Sequence, residues 1–106
     1  MDKVILQTLC EKKRLGIKCA LATVVATRGS TPRKAGSEML IFENGESFGT
    51  IGGGCGEAKV RHDALKAIYN NQSGICKVSM LNEIAEDDGM VCGGIMEVFI
   101  HVISDY

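Results

Sequence analysis

The chain has a single proline in 106 residues, and with 24% charged and 45% hydrophobic residues it does not have the composition of a disordered segment. Its 12 basic and 13 acidic side chains nearly cancel, so no global field recruits nucleic acid or an anionic membrane. No apolar run approaches the roughly 20 residues of a membrane span, and the start Met1-Asp2-Lys3 lacks the plan of a signal peptide. A cytoplasmic protein without nucleic-acid or membrane partners is expected. The five cysteines (Cys10, Cys19, Cys55, Cys76, Cys92) are an odd set with no Cys-x-x-Cys pair, which fits reduced thiols better than a disulfide framework or a closed zinc site. Cys10, Cys19 and Cys76 sit in apolar patterns and read as small core residues.

What the chain does have is glycine, gathered in three places. The run Thr50-Ile51-Gly52-Gly53-Gly54-Cys55-Gly56-Glu57 lies between a strand-like stretch and a helical pattern. Two smaller clusters echo it, Arg28-Gly29-Ser30-Thr31-Pro32-Arg33-Lys34-Ala35-Gly36 and Val91-Cys92-Gly93-Gly94. Glycine loses more freedom on ordering than any other residue, so such clusters imply unusual backbone angles or close approach of another group. They read as three walls of one site.

Around them the periodicities are regular. Residues 2 to 15 place Ile5, Leu6 and Leu9 at helical spacing and end on a basic turn before Gly16. Residues 18 to 27 are small and β-branched on both alternating sets, as in a central strand buried on two faces. Residues 37–42 and 46–51 form strand-like runs around Asn44-Gly45, whose positive φ angles suit a tight hairpin. From Gly54 to about Asn70, Val60, Ala64, Leu65 and Ile68 recur as an amphipathic helix. Residues 75–81 read as a strand, and residues 95–103 alternate Met96, Val98, Ile100 and Val102 with Ile95, Glu97, Phe99 and His101. The segment between them, 82–94, is acidic and glycine-rich. The order α-β-β-β-α-β-β predicts one α/β domain over residues 1–106, a mixed sheet of three to five strands with two main helices.

Strand, glycine loop and helix N-terminus together make an anion site, because unpaired amides point outward and the helix dipole adds partial positive charge. Yet no Gly-Lys-Ser/Thr follows the loop, and Glu57 stands where a dinucleotide fingerprint needs glycine. Glu57 either caps its own helix or accepts hydrogen bonds from a ligand with N–H donors, as a pterin ring carries. Cys55 and Cys92 each read as a sulfur carrier, metal ligand or reactive thiol, or else as a small side chain under a turn. Arg28, Arg33 and Lys34 could clamp a phosphate or a carboxylate, or simply be solvated. His62 and His101 have no second histidine at ligand spacing and read as surface residues. No Ser-His-Asp arrangement supports a hydrolase, and Asp87-Asp88 read as decoration of a solvated loop.

In order along the chain, Gly29-Ser30-x-Pro32-Arg33-x-x-Gly36-x-x-Met39, Gly45, Gly49-x-Ile51-Gly52-Gly53-Gly54-Cys55-x-Glu57 and Cys92-Gly93-Gly94 resemble the N-terminal domain of the XdhC/CoxI family, over roughly residues 20 to 103. The resemblance implies an accessory factor that binds the molybdenum cofactor (molybdopterin) transiently, assists its sulfuration and helps insert it into a xanthine dehydrogenase-type hydroxylase. It implies cofactor contacts at Arg33, Gly52, Gly53, Gly54, Cys55, Glu57, Cys92, Gly93 and Gly94, with Cys92 as the metal contact and either Cys92 or Cys55 as the functional thiol. Partners implied are the hydroxylase apoenzyme and a cysteine desulfurase. Full-length members resemble two-domain proteins with a C-terminal Rossmann domain that residues 1–106 do not contain, so a separate Rossmann-domain protein or a homodimer is expected to complete the cleft. The alternatives are a cysteine-dependent sulfur-transfer or redox enzyme, and a partner-docking module without cofactor.

Overall fold

The computed structural model describes residues 2–29, 31, 34–52, 56–79, 83–84 and 91–103, the pairs 83–84 and 91–92 as backbone. Helix α1 (Lys3–Arg14) opens on Asp2, whose carboxylate accepts the amides of Val4 at 2.8 Å and Ile5 at 3.3 Å. Lys12, Lys13 and Arg14 occupy its last turn, beside the exposed helix carbonyls, and Gly16 then turns the chain at φ +75°. Strands β1 (Cys19–Arg28), β2 (Glu38–Phe42) and β3 (Ser47–Gly49) follow, then helix α2 (Glu57–Asn70) and strand β4 (Gly74–Ser79). Two-residue strands β5 (Glu83–Ile84) and β6 (Val91–Cys92) pair as a ribbon before β7 (Ile95–Ile103).

The main sheet has the order β3-β2-β1-β7-β4, and every pairing in it is antiparallel. β1 lies at its centre, as its two apolar sets predict, and its first four residues are buried. The longest ladder joins it to β7, from Cys19↔Ile103 to Arg28↔Ile95, with a bulge between Val24 and Ala26. β7 alternates as its sequence dictates, with Met96, Val98, Ile100 and Val102 all buried.

Each face of the sheet takes one helix. Val60, Ala64 and Ile68 of α2 pack on Ala20, Ala22, Val24, Met39, Ile41, Cys76, Val78 and the inner set of β7, with Ile51 completing this larger core. On the other face Ile5 and Leu9 of α1 cover Cys19, Leu21, Leu40 and Phe42, at one end of the sheet only. Burial of a large apolar side chain contributes about 1.5–3 kcal/mol, so the α2 face carries most of the stabilisation.

Three local expectations are revised. The β2–β3 hairpin has positive φ at Gly45 but not at Asn44: Gly45 N bonds Phe42 O at 2.9 Å, closing a turn in which only the glycine is left-handed. Cys10 is exposed rather than in the core, because α1 buries the stripe through Ile5 and Leu9 and the next residue is turned away from it. Helix α2 begins at Glu57 rather than Gly54, with left-handed Gly56 (φ +78°) as its N-cap.

Candidate functional site

Antiparallel pairing puts the C-terminal ends of β1, β3 and β4 and the N-terminal ends of β2 and β7 at one end of the sheet. All three glycine clusters therefore emerge there. They do so at two levels. Thr23 is the last β1 residue paired with β2, whereas β1 runs on to Arg28 against β7, and β4 keeps pace to Ser79↔Ile95. The arm β1–β7–β4 thus projects beyond β2 and β3.

At the tip of that arm two of the clusters touch. Gly29 has φ +77°, and a Cβ placed on it would lie 3.4 Å from Gly94 Cα and 3.5 Å from Gly93 O. A side chain at position 29 would be strained by its backbone and would lie in van der Waals contact with the neighbouring loop. Beside this contact is a cleft of about 90 Å³ lined by Ala26, Thr27, Arg28, Lys77, Ile95 and Glu97. Its charged residues come from three adjacent strands: Lys77 lies opposite Glu97, which lies opposite Ala26, and Arg28 lies opposite Ile95 two residues outward.

The third cluster sits lower, past the end of β3. Ile51 and Gly52 are buried, and their amides are engaged: Ile51 N donates to Glu57 Oε2 at 3.3 Å and Gly52 N to Thr50 Oγ1 at 3.1 Å. Thr50 Oγ1 in turn donates to Glu57 Oε2. Glu57, the first residue of α2, therefore reaches back and ties its helix to the strand exit, with Arg61 Nη2 3.7 Å from its other oxygen. It stands at the first helical position rather than the third. Gly53, Gly54, Cys55 and Arg33 lie outside the described residues, as do Asp87, Asp88 and the side chain of Cys92. The site residues within them are Gly52 and Glu57 at the β3 exit, and Gly93 and Gly94 at the arm tip.

Two described cysteines are buried and neither is activated. Burial pushes the Cys19 thiol up, and Glu43 adds to this while Lys13 offsets part of it. Cys76 is pushed up to about 12 by burial and by its hydrogen bond to Asp63, whose Oδ2 lies 2.9 Å from the sulfur. His62 is exposed beside Asp63, and His101 stacks on Phe99 on the open sheet face with centroids 6.0 Å apart. Among the described residues no group of three or more His, Cys, Asp or Glu side chains could hold a metal ion, and no helix is long and apolar enough to cross a membrane.

Sequence reading missed Thr50 and Lys77. A Thr and a Glu seven residues apart match no motif, and Lys77 meets Arg28 only through the pairing of β4, β7 and β1.

With this architecture in view, a sequence model of the XdhC and CoxI family matches residues 13–79. The chain belongs to that family. It is 41% identical over 83 residues to the uncharacterized protein YqeB of Escherichia coli (strain K12), an alignment covering 78% of this chain and 15% of that protein. It is 27% identical over 106 residues to the molybdenum cofactor insertion chaperone PaoD of the same organism, covering 93% of this chain and 31% of PaoD. Its fold superposes on a crystal structure of a xanthine dehydrogenase from Bacillus halodurans with a TM-score of 0.79 at 25% identity, over 94% of this chain and 30% of that one. The chain spans less than a third of each, so it corresponds to one portion of its longer relatives. The match ends at Ser79 while the shared fold extends through β7, whose pairing with β1 completes the arm.

Proposed function

We propose that this member of the XdhC and CoxI family is an accessory factor for molybdenum hydroxylases: it binds the molybdenum cofactor as cargo, assists its sulfuration and helps insert it into a xanthine dehydrogenase-type apoenzyme in the cytoplasm. The observation that carries this reading is the contact of Gly29 with Gly93–Gly94 beside a cleft holding Arg28 and Lys77. Such a tip brings adjoining glycine backbone, two cations and one carboxylate, Glu97, to one place, and the net positive charge suits the phosphate of a flat, anionic pterin ligand. PaoD, named as an insertion chaperone for this cofactor, aligns with nearly the whole chain. In this proposal Arg33 joins the phosphate contacts, Cys92 approaches the molybdenum, and the loop 52–56 forms the lower wall, with Glu57 fixing its position.

In this proposal a Rossmann-domain unit or a second copy of the chain completes the cleft, and a cysteine desulfurase supplies the sulfur. A thiol-based enzyme is the alternative reading, and it would rest on Cys55 or Cys92, since Cys19 and Cys76 are held protonated.

Gel filtration of the purified protein with molybdenum cofactor tests the reading. Co-elution is expected, and Arg33→Ala, Cys92→Ala and the pair Arg28→Ala with Lys77→Ala should each weaken retention about tenfold, equivalent to ~1.4 kcal/mol. Retention by all variants at the parent level would refute these site residues. No retention by the parent, alone or with its hydroxylase, would refute cofactor binding itself.

A further inference from the structure

We propose that the groove between α2 and the outer edge of β4 docks an extended peptide from another protein, one that places an aliphatic residue two positions from an acidic one. β4 is the last strand of its sheet: its inner edge pairs with β7 from Gly74↔Ile100 to Ser79↔Ile95, and among the described residues no backbone group of 74–79 bonds on the other side. A row of free N–H and C=O groups along six residues is a template for an added strand. The opposite edge, β3, offers only three residues.

What distinguishes the β4 edge is the wall beside it. Asp63, Lys66, Ala67 and Asn70 of α2 lie three, four and seven residues apart and so form one stripe, which lines a groove of about 280 Å³ together with Cys76 and Ile100. Seven helical residues rise about 10 Å, the length of about three strand residues. A strand laid along β4 would therefore turn two of its side chains, i and i+2, toward α2 within the groove.

The lining selects those two side chains. Ala67, Cys76 and Ile100 give an apolar floor for an aliphatic group. Asp63 is already engaged, by Cys76 at 2.9 Å, Lys59 at 3.2 Å and His62 at 3.3 Å. Lys66 takes part in no ion pair among the described residues, so the uncompensated charge of the groove is positive and calls for a carboxylate. The groove lies at the β4 flank of the sheet, opposite β3 and the Glu57 tie, and the proposal stands apart from cofactor binding.

The probe is the peptide acetyl-Ser-Val-Thr-Glu-Ser-amide, with a second in which lysine replaces the glutamate. Titrated into isotopically labelled full chain, the acidic peptide should shift amide resonances of residues 63–70 and 74–79 and bind at least tenfold more tightly than the lysine peptide. Lys66→Glu, a change at an exposed position, should reverse that preference. Absence of shifts at millimolar peptide, equal binding of both peptides, or an unchanged preference in Lys66→Glu would overturn the proposal. So would a dimer in solution whose β4 amides are protected from hydrogen exchange, since a second copy would then hold the edge.

Discussion

The thiol of Cys76, on the edge strand, donates to the carboxylate of Asp63, on the helix that covers it, at 2.9 Å. The two partners are displaced in opposite directions. Burial and the adjacent carboxylate raise Cys76 from 9.0 to about 12. Burial also works to raise Asp63, but hydrogen bonds from Cys76, Lys59 and His62 outweigh it and hold the carboxyl below its ordinary value.

Stability should consequently fall at both extremes of pH. For Cys76 the folded value is the higher, so its contribution is complete below about pH 9 and is lost as pH rises toward about 12. For Asp63 the folded value is the lower, so its contribution is present above the ordinary carboxylate range and disappears on acidification through that depressed value. Urea midpoints measured from pH 7 to 11 should decline above pH 9, and Cys76→Val should make the decline shallower. A residual slope from Cys19, also raised, should remain. An unchanged slope in Cys76→Val would show that the thiol does not report on folding.

Alkylation should follow exposure. Cys10 lies on the solvent side of α1, whereas Cys19 and Cys76 are buried beneath opposite faces of the sheet. Mass spectrometry of native protein treated with iodoacetamide should find Cys10 modified before Cys19 and Cys76, which should react only at the rate of unfolding.

Removing the Glu57 carboxylate should loosen the join between β3 and α2. Glu57→Ala leaves the Thr50 hydroxyl and the Ile51 amide without that acceptor, at a cost of about 2 kcal/mol in urea denaturation. Glu57→Gln keeps an acceptor oxygen and should lose less than half as much. Equal losses for the two variants would mean that the charge, through Arg61, matters more than the hydrogen bonds.

Two glycines of the hairpin should respond unequally to alanine. Both have positive φ, but a Cβ on Gly49 would lie 2.9 Å from Glu38 O in the paired strand, whereas one on Gly45 meets nothing within 4 Å. Gly45→Ala should cost about 1 kcal/mol from backbone conformation alone. Gly49→Ala should cost about 3 kcal/mol or more, because β2 and β3 must also separate. Thermal unfolding of the two variants side by side would decide.

These contrasts also show what the sequence makes legible. The alternation of residues 95–103 and the doubly apolar run from Lys18 translate directly into β7 and the central β1, because each side chain's face is fixed by its parity. The start of α2 does not, since a glycine run carries no marker of where helical angles begin, and Glu57 moved from third position to first. The ribbon β5–β6 is two residues per strand and leaves no periodicity to read. The clusters at Gly29 and Gly93–Gly94 were identifiable as neighbours by composition, but the company of Lys77 and Glu97 follows from register.

The longest ladder of the sheet joins residues 19–28 to residues 95–103, and this has a consequence for biosynthesis. The hairpin β2–β3 and helix α2 can take shape while the chain is still emerging from the ribosome, but the central strand keeps one side unsatisfied until about seventy further residues have been translated. Closure of so distant a pairing is slow relative to local contacts. In that interval the nascent polypeptide exposes one edge of its central strand, and its yield in a cell should depend on how well chaperones shield it until β7 arrives.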